Sequence, residues 1–512
     1  MQIPDLTAKR AQLSGDKTAL VDMPSGRAFT YADLDDRASR IAEFLRDDWG
    51  IKPGDRIATL AQNRTEVVEL LFACAKVRAI LVPLNWRLAV PELQYILADA
   101  DAVGLINDEM HAATATALRN SVAGANGSLR SMALGADVLD CETSYDRACH
   151  EASGKPITHP PRDEAEAWYL MYTSGTTGKP KGVLQTPGMT LVNYLNIGIA
   201  AGLTSDDTFL SVLPQFHTGG WNLYLLPTLL VGGTVVLPRT FDPGDCLRYL
   251  EHDASVFFGV PTNYQMLADH PDFPSVDLSG VRSWSSGGAA MPVPLLRTLA
   301  ESGVQVRQGM GMTETGPTVF LLDAERAISK AGSIGMPQGF VETKIVDSKG
   351  HDVPRGERGE LLIRGPGVTP GYWRMPEATD AAFTEDGWLR SGDIARQDED
   401  GDYYIVDRAK DMYISGGENV YPAEVEAVII QFPDVKDAAV IGVRDETWGE
   451  VGIAFVQLRS GQDLDVGALR AFCREKLAKY KMPRSVEVVE ELPRNSSGKI
   501  QKHILAEQQV GQ

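Results

Sequence analysis

Residues 169–184, YLMYTSGTTGKPKGVL, set small, hydroxylated and cationic side chains directly behind an apolar run. Gly175, Gly178 and Gly182 break regular structure and let backbone N–H groups approach a ligand and point into a concavity. Thr173, Ser174, Thr176 and Thr177 add hydroxyl donors, and Lys179 and Lys181 add positive charge. Together these groups suit a polyphosphate. Read alone, they suit a polar surface turn equally well. The segment is not a Walker A loop. The interval from Gly175 to Gly178 and Lys179 is too short, and Pro180 stands where that motif needs Ser or Thr opening a helix.

The elements that must position this loop follow from hydrophobic period. Residues 167–172 form a short apolar and aromatic run, which predicts a buried strand ending at the loop. Upstream, YADLDDRASRIAEFLRDD reads as an amphipathic helix, GDRIATLA as a strand, RTEVVELLFACAKV as a helix and RAILVPLN as a strand. That alternation predicts α/β layering. DTFLSVLPQFH, GGTVVLP and ASVFFGVP are further predicted strands ending at polar or Gly/Pro positions, where open α/β sheets gather ligands. Residues 340–406 carry closely spaced turns and alternating residues, so they predict a β-rich segment. After about residue 410 a compact α/β segment follows, with AEVEAVIIQF and VGALRAFCREKLAKY as helices and AAVIGV and GIAFVQL as strands.

The whole chain bounds the answer. Its 512 residues exceed one ordinary domain. A formal net charge of -20 argues against a nucleic-acid partner, whose phosphates need a basic face. A small anionic ligand needs only local positive charge. The first residues, MQIPDLTAKRAQLSGDKTAL, lack the apolar core of a signal peptide. The most apolar stretch, NLYLLPTLLVGGTVVLP, is cut by Pro227, Gly232 and Gly233 and reads as core, with no membrane span expected. Cys74, Cys141, Cys149, Cys246 and Cys473 show neither metal-ligand spacing nor a disulfide framework. A reducing, cytoplasmic setting is expected.

Six further motifs follow the loop in order: LPQFHTGG around His217, SSGGAAMP, QGMGMTETG, DGWLRSGDIA, VDRAKDMYISGGENVYPAEVE and LPRNSSGKIQK. With YTSGTTGKPKG they resemble the acyl- and aryl-CoA synthetases of the adenylate-forming superfamily, over nearly the whole length. The resemblance implies a large N-terminal domain of layered α/β sheets with a β-rich subdomain, residues 1–409. It implies a small mobile C-terminal α+β domain, residues 410–512. It also implies an acid–CoA ligase working in two steps. Attack of a carboxylate on the α-phosphorus of ATP gives an acyl-AMP and pyrophosphate, and a thiol then displaces AMP. The first step is phosphoryl-type transfer, in which positioning and charge stabilisation dominate.

The resemblance assigns roles residue by residue. Thr173, Ser174, Gly175, Thr176, Thr177, Gly178 and Lys179 would hold the β- and γ-phosphates. Glu314, with Thr173, would hold Mg²⁺, a hard ion that prefers oxygen ligands. Adenine would pack at Gly287, Gly288 and Ala289 and against Met310, Gly311, Met312 and Thr313. The related enzymes carry Tyr or Phe where this chain has Met310, which stacks with less defined geometry. Asp393 would accept from the ribose hydroxyls, and Arg408 would support the same ribose or the phosphate. Lys499 would neutralise charge building on the carboxylate and α-phosphate, and its acetylation would remove that charge. Rotation about Lys410 would withdraw Lys499 and present Gly416 and Gly417 to line a tunnel for the pantetheine arm of CoA. Trp448 and the basic residues Lys476, Lys479, Lys481 and Arg484 are read as core or solvated groups or as neighbours of CoA.

The acyl pocket implied by the resemblance includes HTGGWNLY. Residues 215–226 carry no charge, so neither an ammonium nor a second carboxylate on the acid would find a partner. A medium-chain fatty or monocyclic aromatic acid is expected, with His217, Gly219, Trp221 and Met312 bounding the pocket. His217 would also act at the carboxylate, or serve as a structural histidine. The expected partners are the small-molecule acid, ATP and CoA, with a homodimer as the candidate assembly. An acyl-AMP ligase loading a carrier protein and a luciferase-like adenylating oxygenase are the alternatives. A non-catalytic nucleotide-binding module would be expected to have lost Lys499 or Glu314, and both are present.

Overall fold

The computed structural model describes residues 1–121, 123–124, 127–135, 141–153, 155, 157, 161–173, 179–408, 411–415, 418–445, 448–459, 463–494 and 498–510. Local chemistry starts the first long helix. Thr30 Oγ1 accepts from the Asp33 N–H while the Asp33 carboxylate accepts from the Thr30 N–H, a reciprocal cap that opens Tyr31–Asp47. Its buried stripe of Leu34, Ala38, Ile41, Ala42 and Leu45 packs on Thr65–Val77, a helix enclosed almost all round.

Among the described residues two large sheets carry the N-terminal body. One runs, edge to edge, Thr143–Ser144, Arg130–Ala133, Ala102–Asn107, Arg56–Leu60, Ile80–Pro83, Tyr169–Thr173 and Lys181–Gln185. It is parallel until its last strand, which turns back antiparallel. The other runs Met336–Pro337, Thr318–Leu321, Val306–Gly311, Ser283–Ser286, Val256–Gly259, Thr208–Leu210, Thr234–Leu237, Thr18–Asp22 and Arg27–Thr30, with a parallel centre and antiparallel edges. The largest apolar cluster joins them, combining Ile57 and Leu81 with Leu20, Phe209, Val235 and Val256.

The segment expected to be β-rich is a four-stranded antiparallel sheet of Glu342–Val346, Gly359–Arg364, Leu389–Gln397 and Tyr403–Arg408. Beyond it, Glu418–Val420, Tyr413–Ser415, Gly449–Leu458, Val435–Asp445 and Ser485–Val489 form a separate sheet flanked by helices Pro422–Ile429 and Val466–Lys476. Two apolar clusters, one around Tyr413, Val425 and Val456 and one around Ile441, Phe455 and Leu505, lie wholly in this part. This is the mixed α/β architecture expected from the sequence. No helix among the described residues is long and apolar enough to cross a membrane. The apolar stretch cut by Pro227 forms the buried helix Leu225–Val231.

One segment departs from its sequence pattern. DTFLSVLPQFH predicts a long strand, but the strand stops at Leu210. The chain then passes Pro214 and His217 into a π-helical turn, Gly219–Leu223. Gly220 permits the close pass, since a Cβ there would sit 2.1 Å from the Pro214 carbonyl oxygen.

Candidate active site

Strand Tyr169–Thr173 leads into the phosphate-loop motif and Lys181–Gln185 leads out of it, with Thr173 opposite Lys181 in the antiparallel register. Ser174, Gly175, Thr176, Thr177 and Gly178 themselves lie outside the described residues. Both lysines at the hairpin mouth lie over aromatic rings, Lys179 Nζ 5.8 Å from the Tyr95 centroid and Lys181 Nζ 4.9 Å from that of Tyr372.

Glu314 sits in the short helical turn Thr313–Thr315 between strands Val306–Gly311 and Thr318–Leu321. Gly311 belongs to the tight approach there, because a Cβ would meet the Pro317 carbonyl oxygen at 1.8 Å. Glu314 is 9% exposed. The Tyr372 hydroxyl donates to its Oε1 at 2.9 Å, and the Thr369 N–H donates to its carbonyl at 2.8 Å. Gln185 Nε2 donates to the Thr313 carbonyl at 2.9 Å. Among the described residues no lysine or arginine forms an ion pair with Glu314, whose Oε1 is held by a neutral phenol. A carboxylate oxygen is the kind of donor a hard divalent cation prefers.

Met310 and Met312 pack beside this turn against the cluster of Val319, Phe320 and Ile363. Gly288 and Ala289 are exposed just past strand Ser283–Ser286, as are the backbone of Gly311 and, in part, Thr313. These stretches end neighbouring parallel strands of one sheet, so they share the edge where ligands gather.

Asp393 and Arg408 face each other across strands Leu389–Gln397 and Tyr403–Arg408, with Arg408 Nε 2.7 Å from Asp393 Oδ1. Burial raises the Asp393 carboxyl above the ordinary carboxylate value, and the charges of Arg408 and Lys499 oppose that rise. Lys499, from the far end of the chain, thus shares an electrostatic environment with Asp393. The adjoining Gly498 packs near Thr262, whose Oγ1 would lie 3.3 Å from a Cβ at that glycine. Lys410, Gly416 and Gly417 lie outside the described residues.

Burial, and next the charge of Arg87, push the His217 imidazole down to about 4, so it is neutral at pH 7. Its ring lies 5.5 Å from that of Phe216, which in turn meets Trp86. Arg87 covers the Trp86 face at 4.6 Å. Gly219 is partly exposed, whereas Trp221 has no exposed surface and belongs to the main apolar cluster. Its indole N–H has no hydrogen-bond partner among the described residues. The next residue, Asn222, anchors a buried polar network. Its Oδ1 accepts from Tyr169 at 2.7 Å and Thr190 at 3.4 Å, and its Nδ2 donates to Gln185 at 3.3 Å and Thr218 at 3.2 Å. Through Gln185 that network reaches Thr313.

Sequence reasoning missed Tyr372, Arg87, Gln185 and Asn222. None sits at a diagnostic spacing from the motif it serves, and only the fold brings them in. Of the basic residues in the C-terminal part, Lys481 pairs with Glu424 at 2.6 Å and Arg484 pairs with Asp445. Trp448 is 52% exposed.

The lysine-flanked strand pair, the buried Glu314 carboxylate held by Tyr372, and the Asp393–Arg408 pair with Lys499 in its electrostatic surroundings are groups suited to a nucleotide and its counter-ion. A family model described as AMP-binding enzyme matches residues 7–373, and one described as AMP-binding enzyme C-terminal domain matches residues 424–499. The chain belongs to the AMP-binding enzyme family. It is 43% identical over 495 residues to a feruloyl-CoA synthase from Amycolatopsis sp, covering 96% of each chain. Among solved structures, ATP-bound MatB from Rhodopseudomonas palustris matches with a TM-score of 0.90 at 31% identity, over 99% of both chains. The o-succinylbenzoate CoA synthetase MenE from Bacillus subtilis, in complex with its acyl-adenylate intermediate, matches with a TM-score of 0.87 at 33% identity, over 99% of this chain and 98% of that one. The protein is an AMP-forming acid–CoA ligase that consumes ATP and CoA.

Proposed function

We propose that the acid is a monocyclic aromatic carboxylate of the hydroxycinnamate type, activated as its acyl-AMP and transferred to CoA. The uncharged stretch of residues 215–226 carries this reading: that stretch offers no partner for a second charge on the acid, and Arg87, near His217, lies over the Trp86 face. The 43% identity to a feruloyl-CoA synthase supports the aromatic choice over a fatty acid. His217, Gly219, Trp221 and Met312 bound the pocket in this reading. His217, held neutral, accepts no charge from the substrate and packs over its carboxylate.

The residue roles are proposals of the same kind. Thr173 and Glu314 would hold Mg²⁺, and residues 174–179 would hold the β- and γ-phosphates. The ion supplies charge neutralisation as pyrophosphate leaves. Adenine packs along Gly288, Ala289, Met310 and Gly311. Asp393 accepts from the ribose diol, and Arg408 keeps Asp393 ionised. Lys499 stabilises charge on the carboxylate and α-phosphate in adenylation. Residues 1–409 act as one domain and residues 410–512 as a mobile second one, turning at Lys410 to bring Gly416 and Gly417 to the pantetheine arm. The separate apolar clusters on the two sides of that position support the division.

The cytoplasm, where ATP and CoA are plentiful, is the setting we assign, and light scattering tests the homodimer. The deciding experiment is a panel of carboxylic acids in a pyrophosphate-release assay, with and without CoA. Ferulate-like acids should give the highest kcat/KM and should yield the thioester with free CoA. Preference for straight-chain acids, or transfer only to a carrier protein, would overturn the reading.

A further inference from the structure

We propose that Tyr372 is the positioning residue that fixes the Glu314 carboxylate relative to the phosphate-loop hairpin. The inference rests on the reading of Glu314 given above. Thr173 ends a strand of the seven-stranded sheet, whereas Glu314 sits between two strands of the nine-stranded sheet. Groups on separate sheets need a physical link to hold a cation between them, because a site must be kept within a fraction of an ångström of its productive geometry.

Residues 369–373 are that link, since they bond to both sides. Toward the carboxylate, the Thr369 N–H donates to the Glu314 carbonyl at 2.8 Å. Toward the hairpin, the Thr369 hydroxyl donates to the Leu184 carbonyl at 2.7 Å, the Leu184 N–H to the Gly371 carbonyl at 3.1 Å and the Trp373 N–H to the Gly182 carbonyl at 2.7 Å. Val183 and Tyr372 form an antiparallel bridge.

The Tyr372 side chain repeats the link. Its hydroxyl donates to Glu314 Oε1 at 2.9 Å, and its ring lies 4.9 Å from Lys181 Nζ, on the residue that pairs with Thr173. The chemistry of the donor matters. A phenol fixes one carboxylate oxygen and adds no charge of its own beside it. A lysine or arginine in that place would hold the carboxylate equally well but would cancel the charge that a cation needs.

The test is Tyr372→Phe, which removes one hydroxyl and keeps the ring beside Lys181. Calorimetric titration of the full chain with ATP, in the presence and absence of Mg²⁺, is paired with two half-reaction assays. A hydrogen bond to a charged group carries enough differential energy that Kd for MgATP should weaken about ten- to hundredfold. Metal-free ATP should bind as in the unsubstituted enzyme, and thioester formation from presynthesised acyl-AMP should persist. The ratio of the two affinities within one sample cancels any inactive fraction. An unchanged ratio in Tyr372→Phe, together with a collapsed one in Glu314→Gln, would overturn the role of Tyr372 and leave that of Glu314 standing. An unchanged ratio in Glu314→Gln would overturn the cation site and this proposal with it. Equal losses with and without metal would make Tyr372 a merely structural residue and also overturn the proposal.

Discussion

Arg408→Ala strips the partner from a carboxylate that is almost fully enclosed. The Asp393 side chain is 5% exposed and lies 2.7 Å from Arg408 Nε, while the Arg408 side chain is 33% exposed. Breaking a fully buried pair costs about 3–5 kcal/mol. Here one side of the guanidinium already meets water, which takes over part of the lost interaction, so about 2 kcal/mol is expected. Without Arg408, one of the two charges opposing the effect of burial is gone, so the Asp393 carboxyl rises further above the ordinary carboxylate value. The sign for stability follows from proton binding. The folded variant holds the Asp393 proton more tightly than the unfolded chain does. Its stability therefore falls as pH rises from the ordinary carboxylate value through the folded-state pKa, and is flat above it. Activity runs the other way, because the ribose hydroxyls need an ionised acceptor. The acid limb of kcat/KM for ATP should move toward neutrality, read as pyrophosphate release against pH. Urea titrations at about pH 5 and about pH 8 should show the larger destabilisation at the higher pH. Asp393→Asn, which cannot ionise, should lose this limb altogether. An acid limb that stays in place, with a stability loss independent of pH, would refute the electrostatic role of Arg408.

Lys499→Ala should lower adenylation by about a hundred- to a thousandfold, the usual loss for one electrostatic donor to a transition state. Thioester formation from presynthesised acyl-AMP should survive, and equal loss in both half-reactions would remove Lys499 from the first step. Lys410→Pro fixes φ near roughly -65° and should leave adenylation running while thioester formation falls by orders of magnitude; a variant with both steps intact would move the pivot elsewhere. Trp221→Ala should cost roughly 3–5 kcal/mol of stability, consistent with an indole that has no exposed surface. It should also shift kcat/KM ratios across a series of acids toward bulkier ones. An unchanged ratio profile would make Trp221 purely a core residue and direct attention to Met312.

The amino-acid sequence by itself determined what depends on near neighbours. The period of RTEVVELLFACAKV produced helix Thr65–Val77, and the apolar run before the glycine loop produced strand Tyr169–Thr173. The order of the motifs was enough to indicate the family, because the chemistry demands particular residue types at short spacing. Tertiary structure alone decided the contacts between distant segments. Tyr372 reaches Glu314 across 58 residues, Gln185 reaches Thr313 across 128, and burial, with Arg87 from the loop after strand Ile80–Pro83 adding to it, lowers the pKa of His217. It also ended the strand expected over DTFLSVLPQFH at Leu210, where Pro214 and the tight pass at Gly220 redirect the chain into a π-helical turn. Such hydrogen bonds and close approaches leave no period in the sequence. Each partner's residue type is compatible with many surroundings, and packing chooses among them.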